Sequence, residues 1–265
     1  MITYRELATA FRALDLERTT PVIVHASVEA FGPIHGGVDT LLGAILASFD
    51  TLLTPVFTYR TMLIPEVGPE DNGLIYGSGK TSNATAEFFR PEMPADRSMG
   101  ILAESLRRLP QAERSKHPIL SFAGINARTL LSAQNLFEPF GPVQRLQEAG
   151  GWVLLLGVEH TANASLHLIE EVSGRKRFVR WALTPTGVVE CTDMPGCSRG
   201  FEAVEPRLRR ITRQVQVGES FIKAVPLVDQ AKIVSAWLDA DPTALLCERL
   251  DCASCQAVRR QIISV

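Results

Sequence analysis

Apolar positions along this chain follow two rhythms that alternate. From Tyr4 to Leu14, Leu7, Phe11 and Leu14 recur at helical spacing among charged residues, which predicts an amphipathic helix. The next run, TPVIVHAS, is short and β-branched and predicts a buried strand. Val38 to Phe49 then reads as a helix opened by Gly36 and Gly37, and LLTPVFTY as a second strand. Further on, Met99 to Leu109 reads as helix, Ile119 to Ala123 as strand, Val143 to Glu148 as a short helix and Gly151 to Val158 as the clearest buried strand. Two strands around Thr184 to Gly187, a helix from Glu202, a strand near Ile222 and a helix through Val228 to Leu238 close the series. Between Arg60 and Asn83 periodicity stops and Gly, Pro, Glu and Asp dominate, which predicts a loop on the substrate side. The alternation predicts an α/β sheet covered by helices, one domain over residues 1–265, with functional side chains at the carboxyl ends of strands.

Composition narrows the partners. A chain of 265 residues with 46% hydrophobic side chains buries a full core without needing disulfides or metal to do so. A formal net charge of -2 lacks the broad basic footprint of a phosphate-backbone binder, so nucleic acid is not an expected partner. MITYRELATAFRALDLERTT lacks the layout of a signal peptide, and the most apolar segments are too short or carry Asp50, so neither secretion nor a membrane span is expected. The expected compartment is the cytoplasm. Five cysteines in such a chain point to reduced thiols or a metal rather than a disulfide framework.

Two constellations carry candidate chemistry. Directly after GGWVLLLGV comes a polar cluster from Glu159 to Glu170. With a helix starting near Thr161, Asn163, His167 and Glu170 share one side, Leu166 and Ile169 face the core, and His160 stands at the helix mouth as a candidate general base. The bland alternative makes His160 a turn residue and His167 a satisfied, partly buried histidine. The second constellation is Cys197, Cys247, Cys252 and Cys255, spaced C-x49-C-x4-C-x2-C. Four thiolates ending in a C-x2-C pair suit a closed, structural, tetrahedral zinc, with Cys191 as an alternate ligand; buried packing thiols are the other reading.

The run LLLGVEHTANASLHLIEE closely resembles the signature of the aminoglycoside 3-N-acetyltransferase (antibiotic N-acetyltransferase) family, roughly LLLGVGHDxNTSLHLAE. VHASVEAFGPIHGG, SMGILAESLRRLPQAERSKHPILSFAG, EPFGPVQRL, CSRGFEAVE and CERLDCASCQAVRRQI resemble further family segments in the same order. The resemblance implies the family's own α/β fold, a central mixed sheet with flanking helices, distinct from GNAT acetyltransferases. It also implies direct acetyl transfer from acetyl-CoA to the 3-amino group of an aminoglycoside, with His160 as base. A carboxylate partner for His160 is expected at Asp193 or, next, Glu190, with Glu170 as another choice. His25, Ser27, Gly36 and Gly37 resemble the cofactor-side loop, and Asn163 and Ser165 are either cofactor contacts or helix caps. His117 and Ser121 either line the cleft or support the core. Glu66, Glu70, Asp71 and Glu87, with Glu170, are expected to draw a polycationic substrate, though such charges are often only solvated.

The chain departs from the pattern beside the base. Glu159 replaces a glycine, Thr161 an acidic residue and Ala164 a threonine, and TMLIPEVGPEDNGLIYGSGKTSNATAE diverges. The acceptor is therefore open between an aminoglycoside, another amino sugar and a biosynthetic amine, and a zinc-stabilised binding protein without catalysis is the alternative from another class. A homodimer is compatible with all of these.

Overall fold

The computed structural model describes residues 1–263. Ten strands run in chain order as β1 (Val22–Ala26), β2 (Leu52–Pro55), β3 (Met62–Leu63), β4 (Glu113–Arg114), β5 (Phe122–Ile125), β6 (Trp152–Leu156), β7 (Phe178–Thr184), β8 (Gly187–Met194), β9 (Arg213–Val217) and β10 (Ser220–Pro226). Seven of them form a mixed sheet in the order β4-β5-β2-β1-β6-β10-β9, and β3, β7 and β8 form a second, antiparallel sheet. In the large sheet β1 is parallel to β2 and β6, and the remaining neighbours are antiparallel.

Both faces of the large sheet are covered, which is why its central strands read as unbroken apolar runs. Along β1, Val22 and Val24 face one core while Ile23 faces the other; along β6, Leu154 and Leu156 oppose Val153 and Leu155. The first face is packed by α1 (Tyr4–Ala13), α2 (Gly37–Ser48) and, beyond the five-residue α3 (Lys80–Ala84), by α4 (Gly100–Arg107), through Leu7, Phe11, Leu41, Ile45 and Leu102. Beyond the one-turn α5 (Arg128–Leu131), helices α6 (Gly141–Glu148) and α7 (Ser165–Val172) pack the second face. The four-residue α8 (Glu205–Leu208) and the long α9 (Leu227–Ala240) join them there, and α10 (Ala253–Ile263) ends the described chain. Phe178, Ala182 and Met194 of the small sheet share that second core. Thr3 opens α1 with a reciprocal cap, its hydroxyl accepting from the Glu6 N–H while the Glu6 carboxylate accepts from the Thr3 N–H.

The departures from expectation have local causes. The strand expected at Ile119 to Ala123 begins three residues later, because the Ile119 and Leu120 N–H groups donate to Nδ1 of buried His117 instead of a ladder. His117 thus supports a turn, and Ser121 likewise donates to the Val56 carbonyl. The segment from Arg60 to Asn83 holds β3 and most of α3, and Asn72 stitches it to β7 by donating to the Val179 carbonyl and accepting the Val179 N–H. The helix expected from Glu202 is a 3-10 turn at Phe201–Val204 followed by α8. β9, a five-residue edge strand with only Val215 and Val217 apolar, and α10 carry no apolar rhythm strong enough to announce them. No helix among the described residues is long and apolar enough to cross a membrane.

Because β6 is buried on both faces and paired on both sides, truncation there leaves a cavity that cannot collapse. Leu154→Ala is expected to destabilise the fold by about 2–5 kcal/mol, read as a lower urea midpoint at unchanged m-value.

Candidate active site

Three parallel strands, β2, β1 and β6, end at one edge of the large sheet, and α2, running back between β1 and β2, starts there. The chain leaves β1 through His25 and Ser27, and leaves β6 through a turn at Gly157 (φ 66°), where a Cβ would lie 2.9 Å from the Ser27 carbonyl oxygen. The two exits are thus packed backbone to backbone, and glycine is required. A cavity of about 280 Å³ opens above them, lined among others by His25, Thr54, Tyr59, Asn163, His167 and Ser198.

His160 sits in the 3-10 turn after β6 and is fully buried. Asn163 donates from Nδ2 to Nδ1 of His160 (3.3 Å) and to Gln230 Oε1 (2.9 Å), while its Oδ1 accepts from the Ser165 N–H and hydroxyl. Gln230 Nε2 donates to Ser165 Oγ (2.8 Å) and closes the ring. The Ser165 N–H can only donate, so the orientation of the Asn163 amide is fixed, and with it the tautomer of neutral His160: Nδ1 accepts and Nε2 carries the proton. Nε2 stands 3.1 Å from Glu205 Oε2, which also takes the Lys223 ammonium at 2.9 Å. The His160 N–H donates to Glu202 Oε2 at 2.7 Å.

Burial dominates the electrostatics. It draws the His160 imidazole down to about 4, with Lys223 adding to the lowering and Glu205 opposing it. His25, buried with Nε2 unpartnered, is brought to about 3 by burial and by His160. Glu202 is raised, first by burial and then by Glu159 and Glu205 acting against the His160 N–H and Lys223. At neutral pH the edge therefore holds two uncharged imidazoles beside a group of acids.

His167 lines the cavity from α7, its ring 4.7 Å from that of Phe201. Its Nδ1 meets Glu170 Oε2 at 2.8 Å, and Glu170 is ion-paired to Arg175 at 2.6 Å. Glu170 is 3% exposed and pairs with His167 and Arg175 rather than with His160. The polar side of α7 is thus buried along with Leu166 and Ile169.

The carboxylate that meets His160 Nε2 is that of Glu205, and Asp193 and Glu190 make no such contact. Both of those lie on β8 in the second sheet, where the Asp193 carbonyl accepts from Arg177 and Glu190 faces solvent opposite Trp181. Asn163 and Ser165 spend their polar groups on each other, Gln230 and His160, and Asn163 also lines the cavity. Ser27 donates weakly to Glu29 beside the cavity, and Gly36 and Gly37, in left-handed conformations, open α2 at the same edge. None of the loop acids reaches the cavity. Asp71 pairs with Arg260 and Glu87 with Arg60, while Glu66 and Glu70 are exposed on the loop. Sequence reasoning missed Glu202, Glu205, Lys223 and Gln230; the first two lie inside CSRGFEAVE, so the motif had marked the segment without its contacts.

The four cysteines do converge. The Sγ atoms of Cys197, Cys247, Cys252 and Cys255 lie within 4.8 Å of one another, and Cys191 is buried elsewhere, in the core of the second sheet face. Sulfurs about 2.3 Å from one tetrahedral zinc stand about 3.8 Å apart, so the set needs only a small contraction to hold one. Within the cluster, hydrogen bonding from Cys255 first draws the Cys197 thiol down to about 5, and Cys255 is pushed up in turn.

Residues 23–239 match the family model described as aminoglycoside 3-N-acetyltransferase. Aminoglycoside N(3)-acetyltransferase VII of Streptomyces paromomycinus is 34% identical over 193 residues, covering 67% of this chain and 64% of that one. The crystal structure of aminoglycoside acetyltransferase AAC(3)-IVa as apoenzyme matches with a TM-score of 0.80 at 25% identity, over 98% of this chain and 97% of that one. AAC-IIIb, solved as a binary complex with CoASH, shares the fold with a TM-score of 0.72 at 24% identity, over 90% of this chain and 96% of that one. On the extent of these matches, this chain belongs to the aminoglycoside 3-N-acetyltransferase family.

Proposed function

We propose that the protein transfers acetyl from acetyl-CoA directly to an amine of an aminoglycoside, at the 3-amino group named for its relatives, with His160 and Glu205 together accepting the amine proton. The observation that carries this reading is the His160–Glu205 contact at the carboxyl edge of the parallel strands, at 3.1 Å, in the turn whose Thr161, Ala162 and Asn163 line the cavity. An ammonium cannot attack a thioester. As the amine nitrogen bonds to the thioester carbonyl carbon, its proton passes to the Glu205 carboxylate of the His160–Glu205 pair, the carbon–sulfur bond breaks, and that proton goes on to the departing sulfur, which leaves as free thiol. Glu205 is set 3.1 Å from the imidazole and takes the Lys223 ammonium at 2.9 Å, and the Asn163 amide keeps the ring in register.

The surrounding residues fit the two substrates. Neutral His25 offers an uncharged ring nitrogen to the cofactor side, and the N-terminus of α2 at Gly36 and Gly37 suits a pyrophosphate. Glu159, Glu202 and Glu205 form an acidic group at His160 for the acceptor's ammonium charges, while exposed Glu66 and Glu70 act at longer range by steering. Glu159 stands where the family pattern has glycine, and this carboxylate next to the base favours a second acceptor class, a differently shaped amino sugar or biosynthetic amine. The reading includes a structural Zn²⁺ on Cys197, Cys247, Cys252 and Cys255, a closed all-thiolate set with no position open to substrate.

Coenzyme A release over an amine panel tests the reaction. His160→Ala is expected to lower kcat by roughly 10²–10⁴ with little change in acetyl-CoA binding, and Glu205→Gln by at least about tenfold. Asp193→Asn and Glu190→Gln should stay within about twofold; a large loss there with an active Glu205→Gln would reverse the assignment.

The pH profile follows from the burial of the base. The lowered affinity of His160 for protons keeps the pair in its accepting form through neutrality, and protons are taken up only as pH falls toward about 4. The acid limb of kcat/KM should therefore lie well below the ordinary histidine value near 6.5. A limb centred at 6.5 would mean that a solvated histidine is the base.

A further inference from the structure

Eight positions separate Cys197 of the thiol cluster from Glu205 at the base. Phe201–Val204 is a 3-10 turn and α8 is four residues long, both without a side-chain cap, which is far below the length at which a helix stands alone. Their geometry is imposed by the burial of Phe201 and Val204 in the core and by the two ends. Downstream, Leu208 is fully buried, and the Arg207 guanidinium lies 3.6 Å from the centre of the Trp237 ring on α9. Upstream, the anchor is Cys197, whose Sγ meets those of Cys247, Cys252 and Cys255.

From the cluster the chain runs straight into the site. Gly200 passes so close to the segment before Cys247 that a Cβ would lie 2.3 Å from the Leu245 carbonyl oxygen, and Leu245 itself is held at φ 66°. Phe201, fully buried, then packs on His167, Glu202 accepts the His160 N–H, and Glu205 meets Nε2. Ser198, next to the first cysteine, lines the cavity.

We propose that the metal ion of the four thiols, taken on the zinc reading above, is the upstream anchor that sets Glu202 and Glu205 against His160, making the proton-accepting pair metal-dependent although the metal touches no substrate. The groups facing His160 are Glu202 and Glu205 from this segment, Lys223 from β10, Asn163 from its own turn and His25 from β1. Only the first two lie on the segment that starts at Cys197, so loss of the anchor should uncouple the acids and leave the imidazole in place.

The test compares the zinc-loaded protein, the same protein after chelation and zinc re-addition, Cys252→Ser, and Cys191→Ser as a buried thiol outside the cluster. Metal content, melting temperature, histidine-¹⁵N spectra and steady-state kinetics are recorded. About one zinc per chain is expected, lost with a lower melting temperature on chelation or in Cys252→Ser and kept in Cys191→Ser. Well below the melting temperature of the metal-free protein, the His160 ring signals should shift and kcat fall roughly tenfold or more, with KM for acetyl-CoA within about twofold, and zinc should reverse both in the chelated wild type. Gly200→Ala supplies a lever that leaves the thiols intact: zinc should be retained while the same His160 signals move. Zinc that can be removed, or Gly200→Ala that keeps zinc, with unchanged His160 signals and kcat overturns the coupling and leaves the zinc reading standing. Protein that neither holds nor takes up zinc overturns both. Loaded protein that acetylates no amine overturns the acetyl-transfer reading, and the His160 spectra still decide the coupling.

Discussion

A histidine taken wholly out of water between an amide and a carboxylate keeps one tautomer only while its neighbours keep theirs, and much of the sheet's carboxyl edge exists to hold those neighbours. Asn163 is oriented by the backbone N–H of Ser165, Ser165 by Gln230 of α9, and Glu205 by Lys223 of β10. Each partner comes from a different element, so the imidazole is fixed by tertiary structure rather than by its own loop. A ring of this kind is costly if half satisfied, because each lost bond strands a buried polar group. That constraint explains why α9 and β10, which lie far along the chain from β6, must pack against it.

The same constraint decides what the sequence could reveal. Elements with strong periodicity were legible: α1, α2, α9 and the strands β1, β2 and β6 follow from spacing alone, since burial on one stripe or on both faces leaves its mark in which positions are apolar. His160 was legible as a candidate because it follows the most buried strand. Its partner was not. Choosing Glu205 over Asp193 requires knowing that β7 and β8 leave the large sheet to form their own, and that the chain returns along α8 beneath the site; no local pattern encodes that return. Glu170 misled for the opposite reason. Its helical spacing from His167 was right, but the partner that buries it, Arg175, acts across a turn and also ties down the Pro242 and Ala244 carbonyls.

Position also divides the charges of this chain by what they can do. Glu205 and Lys223 interact at 2.9 Å in a partly buried setting, where solvent and salt weaken them little. Glu66 and Glu70 stand on an exposed loop, where a Debye length of about 8–10 Å at ordinary ionic strength limits their reach. Acids that guide a cation and acids that hold a base therefore respond to different variables, the first to ionic strength and the second to geometry. On the proposed reaction, long-range steering of a polycation and removal of its proton are separable steps with separate residues. Glu159 is the exception: exposed, yet close enough to raise Glu202, it stands between the two sets at the position where the family pattern has glycine.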